Sequence, residues 1–167
     1  MPHYVEILRA IHRSKADYAW IGLSAASVHG SPLVSQDFDF FVRPDPKHLD
    51  RARAAFRKIG MTDSLPKVHS TNLIAAEVTV TFSDPYGGPT VDLITHISGP
   101  SFDEVWRGSK VHKVTRVPVR VASLKHILDS KRAANREKDQ EVLKRLERDF
   151  GDLLREVRAE YKVTKRR

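Results

Sequence analysis

The sequence predicts an α/β fold: a mixed, mostly antiparallel sheet of about five strands flanked by helices, with a helical extension at the C-terminal end. Three observations predict it. Short apolar runs rich in aromatic and β-branched residues, such as DYAWIG at 17–22 and DFDFFV at 37–42, have the length and composition of strands. Longer stretches, such as 46–59, space their apolar residues three and four apart, as an amphipathic helix does. Two strand–turn–strand patterns, over 73–95 and 110–121, read as hairpins.

The chain has 167 residues, 40% hydrophobic and 30% charged, enough for one domain with a real core. It has no cysteine, which excludes disulfides, zinc–thiolate sites and thiol nucleophiles and is compatible with a reducing, cytoplasmic setting. No apolar run approaches the roughly 20 residues of a membrane span, and the first residues are too polar for a signal peptide. Charge is unevenly spread. Residues 1–106 carry 10 basic and 12 acidic side chains, whereas 107–167 carry 19 and 9, giving +8 overall. The basic C-terminal part points to a polyanionic partner, or to a solvated helix surface with a frayed tail over 162–167.

The elements follow in order. Residues 2–14 form an amphipathic helix with Tyr4, Leu8 and Ile11 on one stripe, then 17–22 a short buried strand and 23–29 a short helix broken at Gly30. After the strand at 37–42, Asp45 is a good N-cap and Pro46 suits the first helical position. Leu49, Ala52, Phe56 and Ile59 make that helix's apolar stripe, Arg51, Arg53, Arg57 and Lys58 its wet face, and Gly60 ends it. Residues 73–82 alternate, with Ile74, Ala76, Val78, Val80 and Phe82 on one side and Glu77, Thr79 and Thr81 on the other, which predicts a half-buried strand. The turn at 83–89 leads to a strand at 90–95. Residues 101–106 are a short helix or turn, and 110–121 the second hairpin. Ser123 caps a helix, and 137–161 is the longest amphipathic helix, with Val142, Leu143, Leu146, Phe150, Leu153, Leu154, Val157 and Tyr161 on one side. Residues 1–122 form the expected core and 123–167 an extension packed on it, available for self-association.

The chemistry concentrates at Asp37 and Asp39. Alternate strand residues share a face, so Asp37, Asp39 and Phe41 point one way, with the two carboxylates about 6.5–7 Å apart. Paired carboxylates repel unless a cation lies between them, and a hard divalent ion, Mg²⁺ or Mn²⁺, is the natural candidate. The bland alternative is two solvated aspartates on an edge strand. Just upstream, Trp20-Ile21-Gly22 ends a strand and opens a helix, an arrangement whose free backbone N–H groups can receive a phosphate. Asp92, between Val91 and Leu93, also needs a partner, since burying an unpaired charge is costly. An arginine or a cation would serve.

This constellation resembles the DNA polymerase β-type nucleotidyltransferase superfamily, particularly its small bacterial members, including toxin-type ones. Gly22 falls on the first glycine of the family's glycine motif and Asp37-Phe38-Asp39 on its Asp-x-Asp. His29-Gly30 is similar to its His-Gly. Lys131, Arg136, Lys138 and Asp139 match its C-terminal Lys and Arg-x-Lys-Asp. Leu23 and Leu33 depart from it, and Ser24 stands one place late for the motif's second small residue. The resemblance implies the nucleotidyltransferase fold, with Asp37, Asp39 and Asp92 as metal ligands and catalytic residues. It implies Gly22, Ser24 and Lys131 as contacts to the nucleotide, Mg²⁺ or Mn²⁺ as cofactor and an NTP such as ATP as co-substrate. The implied reaction moves an NMP to a hydroxyl or phosphate acceptor, with tRNA or a protein in a toxin–antitoxin pair as candidate acceptors. A second reading makes the chain a catalytically inactive module of that fold, binding nucleic acid or an acidic partner through its basic C-terminal part.

Overall fold

A computed structural model of the chain describes residues 3–31, 33, 35–149 and 151. Among these the elements run α1 (Tyr4–Arg13), β1 (Tyr18–Ile21), α2 (Gly22–Ala26) with a 3₁₀ turn at Ser27–His29, β2 (Phe38–Val42), α3 (Pro46–Lys58), β3 (Thr62–Asp63), α4 (Ser70–Ala75), β4 (Val80–Ser83), β5 (Val91–Ile94), α5 (Phe102–Gly108), β6 (Lys110–Val114), β7 (Val117–Val121), α6 (Leu124–Ala134) and α7 (Glu137–Asp149). The apolar positions expected from Phe150 to Tyr161, and the basic tail, lie outside the described residues.

The strands make one seven-stranded sheet in the order β3-β4-β5-β2-β1-β7-β6. β2–β5 and β1–β7 are parallel and the other four pairs antiparallel, so the expected mixed, mostly antiparallel sheet is present with more strands than the five expected. One of the seven, β3, is two residues long and too short to announce itself by periodicity.

Register sorts the two faces. One cross-strand row runs Val80, Leu93, Phe40, Trp20 and Val121, each at most 1% exposed. The next row, one residue along each strand and therefore on the opposite face, runs Thr81, Asp92, Asp39 and Ile21. The first face is the aromatic core: Trp20 stacks near Phe38, Phe40 near Phe56, and Tyr4 of α1 tilts onto Phe38 at 4.7 Å between ring centroids. Trp20, Phe38, Phe40 and Phe56 are fully buried and contribute about 1.5–3 kcal/mol each, and with Tyr4 over their edge they hold α1 and α3 against the sheet. On the other face α5 docks through Phe102, 5.2 Å from the Phe41 ring, and α6 lies against α7 and α2.

The termini of these elements follow local rules. Asp45 accepts the Lys47 N–H at 2.9 Å ahead of Pro46, Ser101 and Glu104 form a capping box on α5, and Ser123 caps α6 through the His126 N–H. β6 and β7 are joined by Thr115 and Arg116, both at positive φ (48° and 70°), as a two-residue turn between right-twisted strands demands.

Two expectations are corrected. The stretch 73–82 is not one strand: 70–75 is helical, and only Val80–Ser83 joins the sheet. The Val78 N–H reaches the Leu73 carbonyl at 3.0 Å and Glu77 sits at φ 54°, a left-handed helix ending that no continuous strand can accommodate. Arg53 is not on a wet face. Its side chain is 3% exposed and all five of its N–H donors are used, on Asp63, the Val68 and Leu65 carbonyls and Ser70.

Candidate active site

The polar row of the sheet floors a cleft of about 610 Å³. Asp39 and Asp92 are direct neighbours on parallel strands, and Asp37, one residue before β2, joins them in lining it. The sheet thus brings together on one side the three acids expected to share a site. Gly22, Leu23 and Ser35 line the same cleft, as do Lys131, Arg136, Lys138 and Asp139 from α6, α7 and the link between them. His96 also lines it.

Gly22 is required by this geometry. It sits at φ 79°, and a Cβ there would overlap Asp39 Oδ2. The chain therefore turns from β1 into α2 directly against the central carboxylate.

The acids are oriented from the β4–β5 hairpin. Thr81, opposite Asp92 in register, donates its hydroxyl to Asp92 Oδ1 at 2.6 Å, and Thr90 donates to Asp37 Oδ1 at 2.8 Å. The Asp37 N–H bonds Ser35 Oγ at 3.2 Å. Asp39 accepts no hydrogen bond among the described residues. Its carboxyl is pushed up to about 6, first by burial, then by the negative charge of Asp92 and of Asp37, with Lys131 and Lys138 only partly opposing. A buried acid facing two others without a matching arginine stores unfavourable charge.

The basic wall is organised by Asp139, whose side chain is 2% exposed. Burial alone would raise its carboxyl, but the Arg136 guanidinium at 2.5 Å and the Lys131 ammonium at 3.5 Å outweigh that and hold it below the usual range. Asp139 thus holds Arg136 and Lys131. Lys138 has no hydrogen bond or ion pair among the described residues.

One expectation from the sequence changes, and two other polar side chains have partners of their own. Ser24 does not reach the cleft: it is 3% exposed and its hydroxyl accepts the Trp20 indole N–H at 2.9 Å, so it cannot serve the expected nucleotide contact. His29 bonds the Ala122 carbonyl at 2.8 Å, the bland alternative for a histidine at a helix end. Arg43 pairs with Asp17 at 2.7 Å and Asp103 at 3.0 Å and lies over the Phe102 ring, away from the acids. Thr81 and Thr90 were not singled out from the sequence; the signal was their place in a hairpin that carries Asp92.

Among the described residues, no group of three or more His, Cys, Asp or Glu side chains is gathered tightly enough to enclose a metal ion. The donor set nevertheless fits a hard divalent cation in its chemistry. Asp39 and Asp92 adjoin across the sheet, the charge on Asp39 is only partly opposed by Lys131 and Lys138, and the three acids offer carboxylate oxygens. No helix of the described residues is long and apolar enough to cross a membrane.

No family model and no curated protein matches the sequence. A crystal structure from Thermotoga maritima, of a protein provisionally assigned as a nucleotidyltransferase, matches 89% of this chain and 94% of its own, with a TM-score of 0.57 at 15% identity. Another, from H. pylori and assigned in the same provisional way, matches 76% of this chain and 55% of its own, with a TM-score of 0.43 at 16% identity. On the strength of the first, which spans nearly the whole of both chains, this protein has a nucleotidyltransferase-like fold.

Proposed function

We propose that the protein is a metal-dependent nucleotidyltransferase that moves an NMP from an NTP to an acceptor hydroxyl. The observation that carries the reading is the acidic row itself: Asp39 and Asp92 are paired across parallel strands, Asp37 lines the same cleft, and burial with these two neighbours pushes the Asp39 carboxyl up to about 6. A perturbed carboxylate lining a cleft of nucleotide size marks a functional site more often than a structural one.

Asp37, Asp39 and Asp92 would hold Mg²⁺ or Mn²⁺. When bound, such a cation neutralises phosphate charge and lowers the pKa of an attacking hydroxyl. The chain's own residues supply the rest. Lys131, Arg136 and Lys138 face the acids across the cleft and attract the triphosphate. Gly22 keeps the floor open beside Asp39. Asp92 accepts the proton of the attacking hydroxyl. The acceptor oxygen bonds the α-phosphorus, the bond to the β-phosphate oxygen breaks, and pyrophosphate leaves. Positioning and charge neutralisation carry most of such a transfer, which suits a site of carboxylates facing cations. The basic C-terminal part favours a polyanionic acceptor, with RNA such as tRNA ahead of a cationic small molecule.

The inactive-module reading draws on one observation. Leu23, an apolar side chain, lines the cleft where a phosphate-binding loop would offer a small or polar residue. Incubation with Mn²⁺ or Mg²⁺ and each α-labelled NTP, with an RNA pool as acceptor, separates the two. Labelled product with pyrophosphate release, lost in the Asp37→Asn/Asp39→Asn double variant, supports the enzyme. Salt-sensitive RNA binding with no pyrophosphate under any NTP overturns it.

A further inference from the structure

Resting on that reading, we propose that Thr81 and Thr90 are positioning residues: their hydroxyls fix one oxygen each of Asp92 and Asp37, so that each carboxylate keeps its second oxygen for a divalent cation. Each acid offers two oxygens. In both cases a threonine donates to Oδ1, at 2.6 Å and 2.8 Å, and no hydrogen bond falls on Oδ2 among the described residues. Both threonines come from the β4–β5 hairpin. Thr81 is held by strand register directly opposite Asp92. Thr90 is anchored a second time, since its carbonyl accepts the Phe38 N–H at 2.9 Å at the entry to β2. One hairpin therefore braces two acids that belong to different strands. Asp39, between them, is confined instead by the backbone at Gly22.

The physical consequence is a division of labour on each carboxylate. An aspartate has two freely rotating side-chain torsions, and like charges would turn Asp37 and Asp92 away from Asp39. A short hydroxyl bond opposes that rotation without adding positive charge, so it orients the acid while leaving the acidity of the row to be met by the cation. Arginine would orient equally well but would neutralise the row and remove its reason to bind an ion. Threonine is also a strong strand former, so this positioning costs the hairpin nothing.

The test uses the full chain and Mn²⁺ alone, with binding read from the loss of the free-ion electron paramagnetic resonance signal. Variants are Thr81→Val and Thr90→Val, which keep the branched shape and lose the hydroxyl, and Thr81→Ser and Thr90→Ser, which keep it. Each valine variant is expected to weaken Mn²⁺ binding by about 10-fold, and the double valine variant by about 100-fold, the range typical of lost outer-sphere partners. Each serine variant should return to within about threefold of wild type. Thermal unfolding in chelator should be nearly unmoved by Thr90→Val, which lies outside the strand and keeps the test available should Thr81→Val fold poorly. Valine variants that bind Mn²⁺ as tightly as wild type overturn the inference, as does a weakening that serine does not relieve. A wild-type chain that binds no Mn²⁺ removes the metal-site reading itself, and the inference with it.

Discussion

Asp63 and Asp39 are both acids taken largely out of water on the same sheet, and the chain surrounds them in opposite ways. Asp63, with a side chain 2% exposed, accepts two bonds from Arg53, one from Arg57 and one from the Leu65 N–H. Burial alone would raise its carboxyl, but these donors outweigh it and hold it below the usual range. Asp39 receives no such donors and faces Asp92 and Asp37, so its carboxyl rises to about 6. The same physics of desolvation is neutralised internally in one place and left open in the other. A charge balanced within the fold serves the fold; a charge left unbalanced beside a cleft awaits something from outside.

The internally balanced acid gives the largest expected effect. Arg53→Ala leaves Asp63 buried with only Arg57 beside it and should destabilise the protein by about 3–5 kcal/mol, read from the urea midpoint. A loss below 1 kcal/mol, roughly that of an exposed pair, would show that Asp63 is not the closed counterpart described here.

From the other side, Asp39→Asn should stabilise the chain at pH 7 by on the order of 2 kcal/mol while abolishing Mn²⁺ binding. The sign follows from the protons bound. Between the unfolded value near 3.8 and the folded value of about 6, the native state holds the proton more tightly than the unfolded chain. Stability contributed by the protonated form is therefore present below the lower value and lost as pH rises through the upper one. The wild-type melting temperature should fall across that window relative to Asp39→Asn, and the two should converge below it. Parallel curves would contradict the charge frustration assigned to Asp39. Mn²⁺ affinity of the chain should rise with pH through about 6, because the metal-free Asp39 carboxyl must lose its proton to bind the ion, and a pH-independent affinity across that window would contradict it.

A smaller effect sharpens the site's shape. Gly22→Ala places a Cβ at φ 79° against Asp39 Oδ2 and should cost about 1–2 kcal/mol. It should also lower Mn²⁺ affinity, since the carboxylate must shift. The smallest change is a yardstick remote from Asp63: Ser123→Ala removes the cap on α6 and should cost about 1 kcal/mol in thermal unfolding.

Much of this was legible in the residues, and the exceptions have physical causes. Phe38 and Asp39 fell on the right strand, with Asp37 one residue ahead of it, because period-two alternation leaves few other options for such a run. Gly22 was legible because only glycine tolerates that turn. The helix at 70–75 was not, because Leu73 to Phe82 satisfies strand alternation while the short helix buries only Ser70 and Leu73. Arg53 read as surface because its partners arrive from 63–70, a segment without periodic pattern. Ser24 could not be separated from a phosphate-binding serine, since its true partner is an indole four residues earlier. Thr81 and Thr90 look like ordinary strand and turn residues until the register is known.

The parallel pairing of β2 with β5 also sets a timetable. Thr90 and Asp37 lie 53 positions apart. At about 5–20 residues per second, ribosomal synthesis delivers the second half of the acidic cluster about 3–10 s after the first. During that interval Asp37 and Asp39 belong to a nascent chain without Asp92, Thr81 or Thr90 in place. A truncated product that stops before β5 would keep the recognisable motif and lack the assembled cluster.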